Sequence, residues 1–158
     1  MALKVGDRAP DFSLYETKDH AISLSDYEGK KNVLLLFFPL AFTSTCTKEL
    51  CGVRDDIGKY NNKTIEVLGI SVDSVYTLAK YKKEQYLNYP LLSDFNKLAS
   101  EKYETIYDSF TPMGMKGVSK RSAFIIDKKG SIVYKEVLEN ATEIPDFTAI
   151  DKILSGLQ

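Results

Sequence analysis

The chain has 158 residues, 44% hydrophobic and 27% charged, with 21 Lys and Arg against 22 Asp and Glu for a net charge of −1. That length suits one domain over residues 1–158, burying roughly two-thirds of its unfolded surface with no need of a disulfide scaffold. An ordinary apolar fraction excludes disorder, and balanced charge with no basic block longer than Lys128-Lys129 excludes nucleic-acid and anionic-membrane partners.

Met1 to Arg8 carries charge where a signal peptide needs its apolar core, and no apolar run is long enough to span a bilayer, so a cytoplasmic protein is expected. Phe12 to Tyr15 and Ala21 to Leu24 each alternate apolar and polar residues across the polar stretch Thr17 to His20, predicting an N-terminal β-hairpin. After the turn Tyr27 to Asn32, the uniformly apolar run Val33 to Phe38 reads as a central strand covered on both faces. From about Thr45 to Tyr60, Leu50, Val53, Ile57 and Tyr60 recur every three or four residues and predict one amphipathic helix.

Ile65 to Val72 predicts a second buried strand, and Asp73-Ser74 caps a helix through Leu78, Tyr81 and Tyr86. Tyr89 to Leu92 reads as a short strand, and Ser93-Asp94 caps a helix through Leu98 to Tyr103. Past a loop around Thr111 to Gly114, Ala123 to Ile126 and Ile132 to Val137 flank the turn Asp127 to Gly130 as a hairpin. A last helix, from about Pro145 to Leu157, places Phe147, Ile150, Ile153, Leu154 and Leu157 on one face. Strands alternating with helices, then a hairpin and a final helix, predict an α/β fold with a mixed central sheet flanked by helices.

The two cysteines, Cys46 and Cys51, fall in one segment. Cys46 ends the stretch from Pro39 through Thr43 at the start of a helix, where unpaired N–H groups and the positive dipole end stabilise a thiolate. A buried cysteine is often inert, but the polar neighbours Thr43, Ser44, Thr45 and Thr47 set Cys46 off the apolar stripe and favour a reactive thiol. Cys51 lies beside Leu50 and Val53 near the core face, where structural and reactive roles are equally open. Five helical residues separate the two Cα atoms by roughly 8.6 Å, from about 7.5 Å of rise and about 140° of rotation. A disulfide wants less than about 7 Å, so the pair could join only if the first helical turns unwound. Metal binding is disfavoured because a structural zinc site wants four ligands and the chain offers only His20, in a polar turn, beside the two cysteines, and C-x4-C is not the C-x-x-C of dithiol exchange proteins.

Pro39-x-x-x-Thr43-x-x-Cys46, followed by Thr47-Lys48-Glu49, resembles the active-site signature of the peroxiredoxins. The resemblance runs from Val5-Gly6-Asp7-Arg8-Ala9-Pro10-Asp11-Phe12 to Arg121 and the strand Ser122 to Asp127. Cys46-x4-Cys51 with Arg54-Asp55 looks like the Q subfamily, the bacterioferritin-comigratory-protein class. The resemblance implies a thioredoxin-like fold and a peroxidase using no cofactor or metal. Cys46 would attack hydrogen peroxide or an alkyl hydroperoxide, Thr43 would hold the peroxide, and Pro39 would shield the sulfur. Arg121 would supply positive charge, with Lys120 as the next candidate, and Glu49 would orient the arginine. By the same resemblance, Cys51 would resolve the sulfenic acid as an intramolecular disulfide that a thioredoxin-like dithiol reopens. A one-cysteine cycle with an external thiol and a peroxide sensor are the alternatives, and the protein is expected as a monomer or homodimer.

An unperturbed thiol is about 3% ionised at pH 7, so complete ionisation raises its rate only about thirty-fold. Most of any large acceleration must come from donors meeting charge on the departing oxygen and from alignment of the peroxide with sulfur.

Overall fold

The apolar run after the Gly29 turn forms β3 (Asn32–Phe37), buried at all six positions. It pairs in parallel with β4 (Ile65–Ser71), buried throughout, and antiparallel with β6 (Ser122–Ile126). A strand paired on both edges and covered on both faces leaves little room for polar side chains, hence the unbroken apolar sequence. The sheet is completed by β1 (Ser13–Thr17), β2 (His20–Ser23), β5 (Leu91–Ser93) and β7 (Ile132–Val137) in the order β2-β1-β5-β4-β3-β6-β7. This computed structural model describes residues 2–157.

Along β3 the side chains alternate between two cores. Leu34, Leu36 and Phe38 face the cluster closed by α1 (Ser44–Asp55), α3 (Val75–Glu84) and α5 (Phe147–Gly156). Val33, Leu35 and Phe37 face the other, where Phe12, Leu24, Ala99 and Tyr103 of the N-terminal segment and α4 (Leu98–Lys102) pack. The mixed, doubly covered sheet is the one the element pattern predicts.

Three helix limits differ from the expected ones, and the cap of a fourth helix lies further from it. The helix expected over 45–60 breaks at Asp56 (φ −116°, ψ 31°), leaving a short α2 (Ile57–Tyr60), although Tyr60 stays buried as the periodicity requires. The next helix stops at Glu84 rather than running through Tyr86, which adopts φ +53° after the Gln85 cap. Asp94 does cap the following helix, but over a distance, its carboxylate accepting from Ala99 N and Ser100 N at 3.0 and 2.7 Å. The final helix starts at Phe147, capped by Asp146, whose side chain accepts from Ala149 N at 3.1 Å. None of the described helices is long and apolar enough to cross a membrane.

Register decides where the site forms. Phe37 pairs with both Ile70 and Ser122, so the turn leaving β3, the turn leaving β4 and the residue entering β6 meet at one end of the sheet. Those turns carry Pro39 to Thr43 and Ser71 to Ser74, and the entering residue is Arg121.

Candidate active site

Pro39, buried, ends the central strand, because a residue without an N–H cannot extend the ladder. The chain then turns through Phe42, held at φ +66°, a left-handed conformation costing a bulky residue roughly 1–2 kcal/mol. Thr43 is the N-cap of α1, yet its side chain does not cap the helix. Its hydroxyl instead donates to the Leu40 carbonyl at 2.8 Å, leaving the oxygen free to accept from an incoming O–H. Thr43 O takes the first helical hydrogen bond, from Thr47 N at 3.0 Å.

Cys46 follows in the first turn of α1. The polar neighbours in sequence suggested a place off the apolar stripe, but the side chain is 1% exposed and packs in the core with Leu36, Leu50 and Val53. The polar contact comes from far along the chain: Arg121, itself 2% exposed, donates from Nη1 to Cys46 Sγ at 3.2 Å and to Glu49 Oε1 at 2.8 Å. Its Nη2 donates to the Ala141 carbonyl at 2.9 Å. Cys46 and Glu49 sit three apart on one helix face, so a single planar guanidinium serves both. The neighbouring cation turns elsewhere, Lys120 Nζ pairing with Glu139 Oε1 at 2.7 Å, so Arg121 is the residue at the sulfur.

Burial affects the two partners differently. Desolvation pushes the Glu49 carboxyl up to about 7, against the opposing pull of Arg121, and its Oε2 has no hydrogen-bond partner. For Arg121 desolvation works against the charge, but the pull of Glu49 and Cys46 exceeds it and holds the guanidinium above its ordinary range. Each partner keeps one buried atom unmet, Glu49 Oε2 and Arg121 Nε, and the asymmetry lies in the number of contacts: the guanidinium meets Glu49, Cys46 and the Ala141 carbonyl, whereas the carboxylate meets Arg121 alone among the described hydrogen bonds.

Cys51 is half-buried on the same continuous helix, its thiol 3.6 Å from Gln85 Oε1, and both cysteines are free. Arg54 donates to Gln85 O at 2.7 Å and to Asp55 Oδ1 at 2.9 Å, bracing α1 against the end of α3 and lying outside the Cys46 cluster. His20 is remote, on β2 near Glu16.

A cleft of about 710 Å³ opens on this site, with Thr43, Thr45, Tyr107, Arg121, Ala141 and Thr142 among its walls. Sequence reasoning missed Tyr107, whose hydroxyl donates to Leu138 O at 3.2 Å, and the Ala141 carbonyl, since a main-chain acceptor leaves no signature in residue type. A thiol buried at a helix start and met by a buried guanidinium, with that guanidinium and Thr43 lining an open cleft, can act as a nucleophile whose leaving group departs beside positive charge.

Fold and site together define a thiol-based redox enzyme. Residues 5–135 match the AhpC/TSA family, and the chain belongs to it. It is 40% identical over 132 residues to a Buchnera aphidicola (subsp. Schizaphis graminum) protein carrying the name peroxiredoxin bcp, with 82% of each chain covered. It is 36% identical over 137 residues to alkyl hydroperoxide reductase E of Mycobacterium tuberculosis, covering 85% of this chain and 86% of that one. Among solved structures, peroxidoxin BcpB of M. tuberculosis superposes with a TM-score of 0.80 at 29% identity, covering 97% of this chain and 95% of the other. The protein is therefore a peroxiredoxin, a peroxidase of the oxidoreductase class, most like the bacterioferritin-comigratory or Q class.

Proposed function

We propose that the protein reduces hydrogen peroxide and alkyl hydroperoxides through Cys46, with Thr43 and Arg121 binding the peroxide, Pro39 walling off bulk water and Glu49 orienting the arginine. The observation that carries this reading is the Arg121 guanidinium, which contacts the Cys46 sulfur and Glu49 at once in a buried cluster. The thiolate attacks the nearer peroxide oxygen, a sulfur–oxygen bond forms as the oxygen–oxygen bond breaks, and Cys46 becomes a sulfenic acid. The departing oxygen leaves as water or an alcohol once protonated, its developing charge met by Arg121 and the free N–H groups at the start of α1. The Thr43 oxygen accepts the peroxide O–H, because its own proton is committed to Leu40 O.

Cys51 then attacks the sulfenic sulfur, giving an intramolecular disulfide and water, and a thioredoxin-like dithiol reopens it. The continuous helix over both cysteines must first unwind, since its geometry holds their Cα atoms roughly 8.6 Å apart. A one-cysteine cycle, with an external thiol taking the place of Cys51, draws support from the packing of Cys51 against the core and Gln85.

Cys46→Ser is expected to abolish peroxide consumption in a coupled reductase assay while keeping the fold, and retained turnover would refute the assignment. Cys51→Ser is expected to spare the first oxidation and to impair recycling by thioredoxin. Intact mass after one equivalent of hydrogen peroxide separates the two cycles. Loss of about two mass units with both thiols blocked means the internal disulfide, and a gain of about sixteen with Cys51 still alkylatable means the external-thiol cycle.

A further inference from the structure

The Leu40 to Thr43 turn is held from outside its own segment. Asp73, in the turn leaving β4, accepts the Ala41 N–H on Oδ2 at 2.8 Å. The same oxygen accepts the Ser71 hydroxyl at 2.7 Å, and Asp73 N donates back to Ser71 Oγ at 3.2 Å, so the carboxylate is fixed in orientation by its own turn. That turn is tied to β5, where Ser93 Oγ donates to Asp73 O at 2.6 Å, and Asp94 N donates to Ser71 O at 2.7 Å. Ala41 lies between Leu40, whose carbonyl takes the Thr43 proton, and Phe42, the left-handed residue, whose ring packs 5.0 Å from that of Tyr81.

We propose that Asp73 is a positioning residue for peroxide reduction: by holding the Ala41 N–H it fixes the turn that aims the Thr43 oxygen at the bound peroxide. The proposal rests on the peroxide-binding role given above to Thr43. Asp73 touches neither Cys46 nor Arg121 among the described hydrogen bonds, so it acts on the alignment of the peroxide and leaves the chemistry of the sulfur alone. A turn containing a left-handed Phe has lower-energy conformations available, and the Asp73 tether on one side with the Phe42–Tyr81 contact on the other keeps it from relaxing into them. The arrangement turns a rigid sheet end into a fixed acceptor, which is how alignment contributes to rate.

The test compares Asp73→Ala, Asp73→Asn and Ser71→Ala with the unchanged chain in two assays on reduced protein. One is the second-order rate with hydrogen peroxide, and the other is the rate of Cys46 alkylation by iodoacetamide, assigned by peptide mass. Asp73→Ala is expected to slow the peroxide reaction by about 10- to 100-fold and leave alkylation unchanged, because misalignment penalises an in-line displacement needing a held substrate. Asp73→Asn, whose amide oxygen still accepts from Ala41, is expected to restore the rate to within about threefold. Ser71→Ala, expected to fold whether or not Asp73→Ala does, should lose about fivefold with alkylation again unchanged. Peroxide rates equal to wild type in both Asp73→Ala and Ser71→Ala, or peroxide and alkylation rates falling in parallel, would overturn the positioning role. A wild type that does not consume peroxide at all would instead overturn the reading of the site beneath it.

Discussion

Glu49 is the residue at which the site's electrostatics can be read out as stability. Its carboxyl is buried and pushed up to about 7 chiefly by desolvation, so between about pH 4.5 and about pH 7 the folded chain keeps a proton that the unfolded chain has released. Protons bound in excess by the native state make stability fall as pH rises, so the contribution is full below about pH 4.5 and lost on passing about pH 7. Urea midpoints across that window are expected to fall more steeply for wild type than for Glu49→Gln, which has no proton to lose there; parallel slopes would place the carboxyl in its ordinary range. Arg121 makes a complementary prediction about rate. Lysine in its place keeps the charge but offers one nitrogen to acceptors lying on three sides, so Arg121→Lys is expected to lose about 10²- to 10³-fold in peroxide reduction, measured by stopped flow. Residue type alone could not single out Arg121 from Lys120 beside it. The family resemblance did, and the physical reason lies in tertiary burial: one cation points into the core and its neighbour pairs with Glu139 at the rim.

Among the elements, α1 matters most, because the proposed cycle asks it to hold Cys46 in place and also to come apart. Its C-terminal half is braced by the connection leaving α3. Tyr89 donates to Leu50 O at 2.7 Å, Asn88 to Arg54 O at 3.4 Å, Arg54 to Gln85 O at 2.7 Å, and Cys51 meets Gln85 Oε1 at 3.6 Å. Unwinding through Cys51 must break most of these bonds, so they set part of the opening free energy. Tyr89→Phe removes one buried hydrogen bond while keeping the ring, lowering that free energy by about 1 kcal/mol. Amide exchange over Cys51 to Asp55 is expected to quicken about fivefold, whereas exchange in β3 and β4 stays as it was. Equal protection in the variant would mean that α1 opens without releasing Tyr89. The start of this helix was legible from the proline-punctuated turn and the i, i+3, i+4 pattern, but its end was not. The apolar spacing continues to Tyr60 across the break at Asp56 because α2 points the same face inward, so periodicity reads through a kink that only backbone geometry reveals.

At the scale of the whole molecule, the sheet decides what the sequence can disclose. Strands buried on both faces announce themselves, and β3, β4 and the β6–β7 hairpin stand close to where the apolar runs place them. Strand order does not, because the pairing of Tyr15 with Ser93 joins residues far apart in sequence with no local mark on either. That same order brings the turns after β3 and β4 together, which is why the tie between Ala41 and Asp73 was invisible before the fold. Gly69, midway along β4, offers a way to test how tightly the sheet and the site are coupled. A Cβ there would lie 2.7 Å from Leu91 Cδ2 and 3.5 Å from the Phe38 ring, on the face that also carries α1 and Cys46. Leu91 is 1% exposed and cannot swing into solvent, so relief must come from Leu91 and β5 giving way, or from β4 moving off them and pressing on the ring of Phe38, the residue before Pro39, already in ordinary contact at 3.5 Å. Gly69→Ala is therefore expected to cost about 1–3 kcal/mol in urea denaturation, the usual penalty for overpacking a close-packed core. Because Phe38 leads directly into the turn that carries Thr43, the peroxide rate should fall as well at temperatures where the variant is fully folded. A variant destabilised to that extent with an unchanged peroxide rate would show that β5 gives way instead, and that the central strand holds the turn rigid against strain from its neighbour.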